Sequence, residues 1–339
     1  MSIDLAGAPS YGKGRGGARI ALLTLVLLWG LAWALAWALA FTGNSAVAKE
    51  SRETSGSVPK ALAVETFLAD IARSVAGDRL VVESLIPVGV DPHGFEPTPK
   101  DAKKVAACDI LIVNGAGFEE FLNKLLENVG GKRSVIVAAA GLAPRDARTD
   151  EEGGHEGEEE GRHETDPHFW LDPNHVIKYV QNIRDGLVSA DPGGAPEYAR
   201  NAESYIAKLR ALDAWIRGQV VQVPEKDRLL VTNHESLGYF ADRYGFKIVG
   251  TIVPSVSTGA SPSAKQLVAI IDAVKKTGAR AIFLETGTNP KLARQLAQET
   301  GIKVVEGLYT HSVSGPGGDA PTYIDMIRFN TRAVVGALQ

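Results

Sequence analysis

The sequence is poor in several things, and each scarcity removes a class of function. There is one cysteine, Cys108, in 339 residues. No internal disulfide can form, and a cysteine-based metal finger or redox pair is excluded. Cys108 sits in the apolar run ACDILIV and reads as a buried strand residue. Charge of one sign is also scarce: 36 Lys and Arg against 40 Asp and Glu give a formal net charge of -4, without a basic stripe or an RNA-binding motif. Nucleic acid is therefore not an expected partner. The pattern HExxH is absent as well: Glu235 follows His234, but position 238 is glycine, so the second histidine of a zincin helix is missing.

Only one long apolar run exists. Ile20 to Phe41 carries no charge, follows Lys13, Arg15 and Arg19, and precedes Ala46-Val47-Ala48, small residues of the kind a signal peptidase reads. Residues 1–48 are expected to be an export signal or, if uncleaved, a membrane anchor. No cysteine stands directly after that run, so the reading is of an export signal without a lipidated cysteine. Residues 49–58, polar and rich in Ser, Lys and Glu, read as a flexible tether. The remainder is expected outside the cytoplasm, in the periplasm or on the outer face of the cell membrane. With the leader set aside the exported part is mildly acidic, which suits a cationic ligand better than an anionic one.

From Pro59 onward, short apolar runs alternate with amphipathic stretches. Strands are expected at Ala61–Val64, Leu80–Ile86, Ile110–Val113 and Val135–Ala138, with helices at Phe67–Val75, Pro99–Ala107 and Phe118–Asn128. A second series places strands at Leu229–Thr232, Lys247–Val253, Ala281–Leu284 and Lys303–Gly307, and helices at Leu237–Tyr244, Pro262–Thr277, Pro290–Thr300 and Tyr323–Leu338. Strands buried on both faces and separated by helices imply parallel sheets with right-handed crossovers. The expected fold is α/β with two lobes, each a parallel β-sheet flanked by helices: an N-terminal lobe over 59–195 and a C-terminal lobe over 222–339. A long rigid helix over 196–221 joins them, with Tyr198, Ala202, Tyr205, Leu209, Leu212 and Ile216 at helical spacing. The segment 150–166, DEEGGHEGEEEGRHETD, has self-repelling carboxylates and four glycines and reads as a loop. Its His155 and His163 make it either a solvated insertion or a weak cation collector.

Three histidines lie in settings that suit a metal ligand: His93 in DPHGFEPTPKD, His168 in DPHFWLDP and His234 in VTNHESLGYF. They are too far apart for a local finger, so only a folded cleft could unite them. His234 follows a strand by two residues and His93 follows another after a short loop, the places where open parallel sheets bind ligands. Proline precedes both His93 and His168 and limits the backbone freedom lost on coordination. Glu96 or Asp91 could orient His93, and Asp166 or Asp172 could orient His168. Glu285, at the end of a strand, could face the cleft beside the ligands. His175 is expected to be exposed or part of a helix start, and Phe169 and Trp170 to pack behind His168.

On these segments, together with ASPSAKQL, NPKLARQLAQETG and GGDAPTYIDMIRFN in the same order, the chain resembles the ZnuA/TroA-like (cluster A-I) substrate-binding proteins of bacterial zinc and manganese ABC transporters, from about Pro59 to Gln339. The resemblance implies a cell-surface or periplasmic receptor, not an enzyme, that works as a monomer with an ABC permease. It implies four metal ligands, His93, His168, His234 and Asp319. His311 falls where family members often carry Asp, and a direct ligand role for it is not expected. Zn²⁺ is the expected transported ion, since imidazole suits zinc and receptors for manganese often have glutamate at the position of His234; Mn²⁺ is the alternative. An extracellular zinc hydrolase and a surface adhesion protein on the same fold are the competing readings of other classes.

Overall fold

The strand ILIV at Ile110–Val113 has all four residues buried, as expected of a strand covered on both faces. It is the third, β3, of a four-stranded sheet with β1 (Ala61–Ala63), β2 (Val82–Ser84) and β4 (Ser134–Val137) in the order β2-β1-β3-β4, every pairing parallel. A second sheet repeats that order as β6-β5-β7-β8, from β5 (Leu229–Thr232), β6 (Lys247–Thr251), β7 (Ala281–Glu285) and β8 (Lys303–Leu308), again all parallel. In this computed structural model the described residues are 58–145, 165–259 and 261–339, and Val58–Gln339 form one compact unit. The export signal, the tether up to residue 57, and His155 and His163 of the acidic segment lie outside the described residues. Among the described residues no helix is long and apolar enough to cross a membrane.

Helices connect the parallel strands: α1 (Thr66–Ala76), α2 (Pro99–Ala107) and α3 (Glu120–Val129) in the first lobe, then α4 (Pro173–Ala190) and α5 (Ala195–Val220). The second lobe carries α6 (Gly238–Tyr244), α7 (Ala264–Thr277), α8 (Lys291–Thr300) and α9 (Tyr323–Leu338). Local chemistry sets their starts. Thr98 and Asp101 form a capping box ahead of α2, with Pro99 in the first turn. Ser263 and Gln266 do the same for α7, and Asp172 accepts the Asn174 amide hydrogen bond at the start of α4.

Two elements depart from the sequence reading. The strand expected over Leu80–Ile86 is regular only at Val82–Ser84, because it is an edge strand whose single partner β1 is equally short; the Leu85 and Ile86 amides still bond the Ala63 and Val64 carbonyls. The 18-residue helix α4 was expected only at its start. Its Val176, Tyr179, Val180, Ile183 and Leu187 are buried at helical spacing, but Gly186 interrupts a stretch rich in Asn, Gln and Asp. A Cβ at Gly186 would come within 2.5 Å of the Ile136 side chain, so the glycine lets the helix lie close against β4.

Two buried clusters each belong to one lobe, one around Leu62 and Leu111 and the other around Val231 and Ile282, and a third, larger one crosses the lobe boundary. This larger cluster runs from Ala61 and Phe67 through Trp170, Tyr198 and Leu212 to Phe283, Tyr323 and Leu338. Helix α5 buries Tyr198, Ala202, Tyr205, Leu209, Leu212, Ile216 and Val220 along one face and packs on α1 and α4 as well as α9. Trp170 stands at the centre of the shared core. It is fully buried, stacks on Phe67 with ring centres 4.4 Å apart, and donates from Nε1 to the Thr310 carbonyl at 2.6 Å. Replacing Trp170 by Ala would open a large cavity and leave that carbonyl unpaired, and should lower the unfolding free energy by about 3–5 kcal/mol in urea denaturation.

Candidate metal centre

In both sheets the strand order reverses between the first and third strands, and chain ends there diverge into a crevice. The second lobe delivers His234 just past β5, Glu285 at the end of β7, and His311 just past β8. The first lobe delivers His93 from the loop after β2, while His168 comes from the segment that leads into α4. The four imidazoles meet. Each of His93, His168, His234 and His311 offers one nitrogen, and these atoms all lie within 4.8 Å of one another.

His168 Nε2 is 3.3 Å from His93 Nε2, 3.4 Å from His234 Nε2 and 3.3 Å from His311 Nε2. A tetrahedral ion with metal–nitrogen bonds of about 2.0–2.1 Å separates its ligand nitrogens by roughly 3.3–3.4 Å, so these three spacings fit a tetrahedral four-nitrogen shell. His168, His234 and His311 are buried, and His93, half-buried, is the outermost ring.

Asp319, the fourth ligand expected from the resemblance, is not in this group. The chain closes a small loop through the Ser314 amide to the Ala320 carbonyl at 2.7 Å, and Asp319 sits exposed on it. His311, eight residues earlier and just past β8, stands with the other three histidines instead. The signal was present in the sequence: His311 lies three residues past the end of a parallel strand, the same placement that drew attention to His234.

Two buried carboxylates orient the rings from behind. Asp166 Oδ1 is 2.8 Å from His168 Nδ1 and also accepts the His168 amide at 2.9 Å. Of the two candidates for this role, Asp166 has it, and Asp172 caps α4 instead. Glu285 serves two rings, with Oε1 2.6 Å from His234 Nδ1 and Oε2 3.3 Å from His311 Nδ1, while Ser236 Oγ donates to Oε1 at 3.0 Å. His311 Nδ1 also meets the Thr310 hydroxyl at 3.2 Å, and partners behind Nδ1 leave the Nε2 atoms facing the cluster. Asp91 accepts the backbone amide of His93 at 3.0 Å rather than its ring, and Glu96 is exposed.

Gly238 shows why the zincin pattern has no room here. A Cβ at that position would come within 1.9 Å of Arg145 Nη1 and 2.8 Å of Asp166 Oδ2, so glycine allows Arg145 to reach Asp166 at 3.3 Å. Tyr239 then donates from its hydroxyl to the Asp166 carbonyl at 2.7 Å. Phe118 and Trp170 wall the other side of His168, with ring centres 5.8 and 5.1 Å away. His175 packs on Phe169 and Tyr239 in the first turn of α4, away from the cluster.

Burial and neighbouring charge set the proton affinities. Burial, reinforced by the charge of His234, lowers His93 to about 4, and burial holds His168 and His311 well below the ordinary histidine value. Burial would lower His234 too, but the Glu285 carboxylate outweighs it and raises this ring. Burial would raise Glu285, yet the charge and hydrogen bond of His234 pull it down to about 2. Asp166 is pushed up to about 6 by burial against the opposing hydrogen bond of His168 and charge of Arg145. At neutral pH three of the four rings are thus unprotonated and their lone pairs free.

A profile of the family described as zinc-uptake complex component A, periplasmic, matches residues 62–337. The manganese-binding lipoprotein MntA of Halalkalibacterium halodurans is 36 % identical over 273 residues, 80 % of this chain and 86 % of the relative. The iron-binding protein YfeA of Yersinia pestis is 33 % identical over 290 residues, 86 % and 89 % of the two chains. Among solved structures, a Mn-bound periplasmic metal-binding protein from Candidatus Liberibacter asiaticus superimposes with a TM-score of 0.73 at 28 % identity, covering 83 % of this chain and all of the other. The periplasmic zinc-binding protein TroA of Treponema pallidum shares the fold with a TM-score of 0.71 at 24 % identity, over 83 % and 99 %.

The depressed His93 value carries a sign that can be checked on the metal-free protein. Its folded pKa lies below the unfolded value near 6.5, so the unfolded chain takes up the proton first, and stability present above pH 6.5 is lost as pH falls towards 4. Compared with a His93→Gln variant, the parent should lose up to about 3 kcal/mol between pH 7 and pH 4 in paired denaturation curves.

Proposed function

This chain belongs to the zinc-uptake component A family of ABC-transporter metal receptors, and on that premise we propose that it captures one zinc ion with His93, His168, His234 and His311 and hands it to a membrane permease. The receptor acts outside the cytoplasm, as the family description states. The observation that carries the choice of ion is the convergence of four imidazole nitrogens within 4.8 Å, with three of them 3.3–3.4 Å from His168 Nε2, and three of the rings having a depressed pKa. Nitrogen-only tetrahedral shells suit zinc, whereas manganese favours oxygen donors and a higher coordination number.

Four protein ligands also support a carrier over a hydrolase, because a catalytic zinc keeps one position for water. Ligands from both lobes couple the ion to the lobe interface. The shared core and α5 favour small tilts and loop shifts on release over a wide hinge opening. Manganese is the second reading, supported by relatives named for manganese at up to 36 % identity.

Competition titration of the metal-stripped chain, with the bound metal counted by elemental analysis, separates the two. One zinc per chain that excess manganese does not displace supports the zinc reading; manganese held tightly at the same site moves the assignment to manganese supply. In the same assay His311→Ala should weaken zinc strongly and Asp319→Ala should leave it unchanged; the reverse order would sink the four-histidine site. Glu285→Gln should cost roughly 10–100-fold in affinity, since it loosens two ligand rings at once, as read by competition with a chromophoric chelator.

A further inference from the structure

A cavity of about 370 Å³ opens beside the imidazole cluster, with His311 and Glu285 at its inner end and Asp91 and Thr258 in its outer wall. Asp91 and Glu285 are the charged side chains in the lining, which contains no Lys or Arg; hydroxyls and an amide of Asn233, Thr286 and Thr288 supply much of the rest. Resting on the metal-receptor reading above, we propose that this cavity is the vestibule through which the metal arrives as an uncomplexed hydrated cation, and that the Asp91–Thr258 hydrogen bond is the closure that retains it.

Size and charge both favour a bare aqua ion. Six waters at roughly 30 Å³ each fit within the cavity, so an ion can enter with its first hydration shell and exchange water for imidazole inside. A metal held by an anionic chelator would bring several carboxylates against Asp91 and Glu285 with no cationic side chain to receive them. The vestibule therefore selects the free dication.

The closure follows from what Asp91 joins. One carboxylate oxygen accepts the His93 amide and the other accepts the Thr258 hydroxyl, 167 positions along the chain in the loop after β6. Two residues before Asp91, the Gly89 amide donates to Ser312 Oγ at 2.9 Å, next to His311. The loop that carries His93 is thus fastened to the second lobe on one side of the outermost imidazole. His93 is the ring that must swing away first if the ion is to leave, and it cannot do so until the Asp91–Thr258 bond opens. Thr258 touches no imidazole nitrogen, so its effect is on retention and not on the donor set.

The test is the zinc-release rate of the full chain, followed by stopped-flow mixing of zinc-loaded protein with excess chromophoric chelator. Thr258→Val keeps the shape and removes the hydroxyl, and should still load one zinc per chain while releasing it about tenfold faster, the size expected for one hydroxyl–carboxylate hydrogen bond. Asp91→Asn should slow zinc association and flatten its dependence on ionic strength. With citrate present, the loading rate should track free zinc and not the zinc–citrate complex. Release from Thr258→Val at the parental rate overturns the closure, and loading that rises with zinc–citrate at fixed free zinc overturns the selection of the bare cation. A parent chain that loads no zinc overturns the metal reading beneath both, an outcome visible before any variant is made.

Discussion

Two carboxylates buried behind the imidazoles govern the candidate metal centre. A histidine removed from water resists protonation, but an unanchored ring can turn either nitrogen towards the cavity. Asp166 at His168, and Glu285 at both His234 and His311, fix which nitrogen faces inward. Each carboxylate is itself held: Asp166 by Arg145 and the His168 amide, Glu285 by Ser236. Gly238 belongs to the same arrangement, because any side chain there would displace Arg145. Glu285, Asp166 and Asp91 are the carboxylates around the cluster whose charge would balance a dication.

The same principle of holding from behind operates at the scale of the lobes. The imidazole cluster draws on residues that follow strands of both sheets, and the largest buried cluster is shared between the two lobes. Trp170 illustrates the connection: its ring packs on Phe67 and Phe118 from the first lobe while its Nε1 binds the carbonyl of Thr310, the residue before His311. A shift of one lobe relative to the other is therefore felt at a ligand. A close-packed interior transmits such a shift instead of absorbing it, which is the physical basis for linking occupancy to a change that a permease can read.

Much of the fold was legible from pattern. The runs ILIV and LLVT and the proline-and-threonine start of α2 have boundaries that local chemistry fixes. Helix α4 was harder, because Gly186 and a polar-rich composition mask an apolar stripe whose meaning depends on β4 lying against it. At the site, His93, His168 and His234 stood out by their Asp-Pro and post-strand settings. Asp319 was favoured over His311 by resemblance alone, but its loop closes on itself and leaves it in solvent.

The sequence by itself determined the strand and helix order, the parallel character of the sheets and which histidines stand at strand ends, because these follow from periodicity, capping and turn chemistry acting within a few residues. Only the tertiary structure decided that His311 completes the cluster, that Asp166 and not Asp172 backs His168, and that Glu285 serves two rings. Those choices depend on distances of 2.6–3.4 Å between residues up to 143 positions apart, and such distances are set by how two sheets and one long helix pack around a common core, which no local pattern encodes.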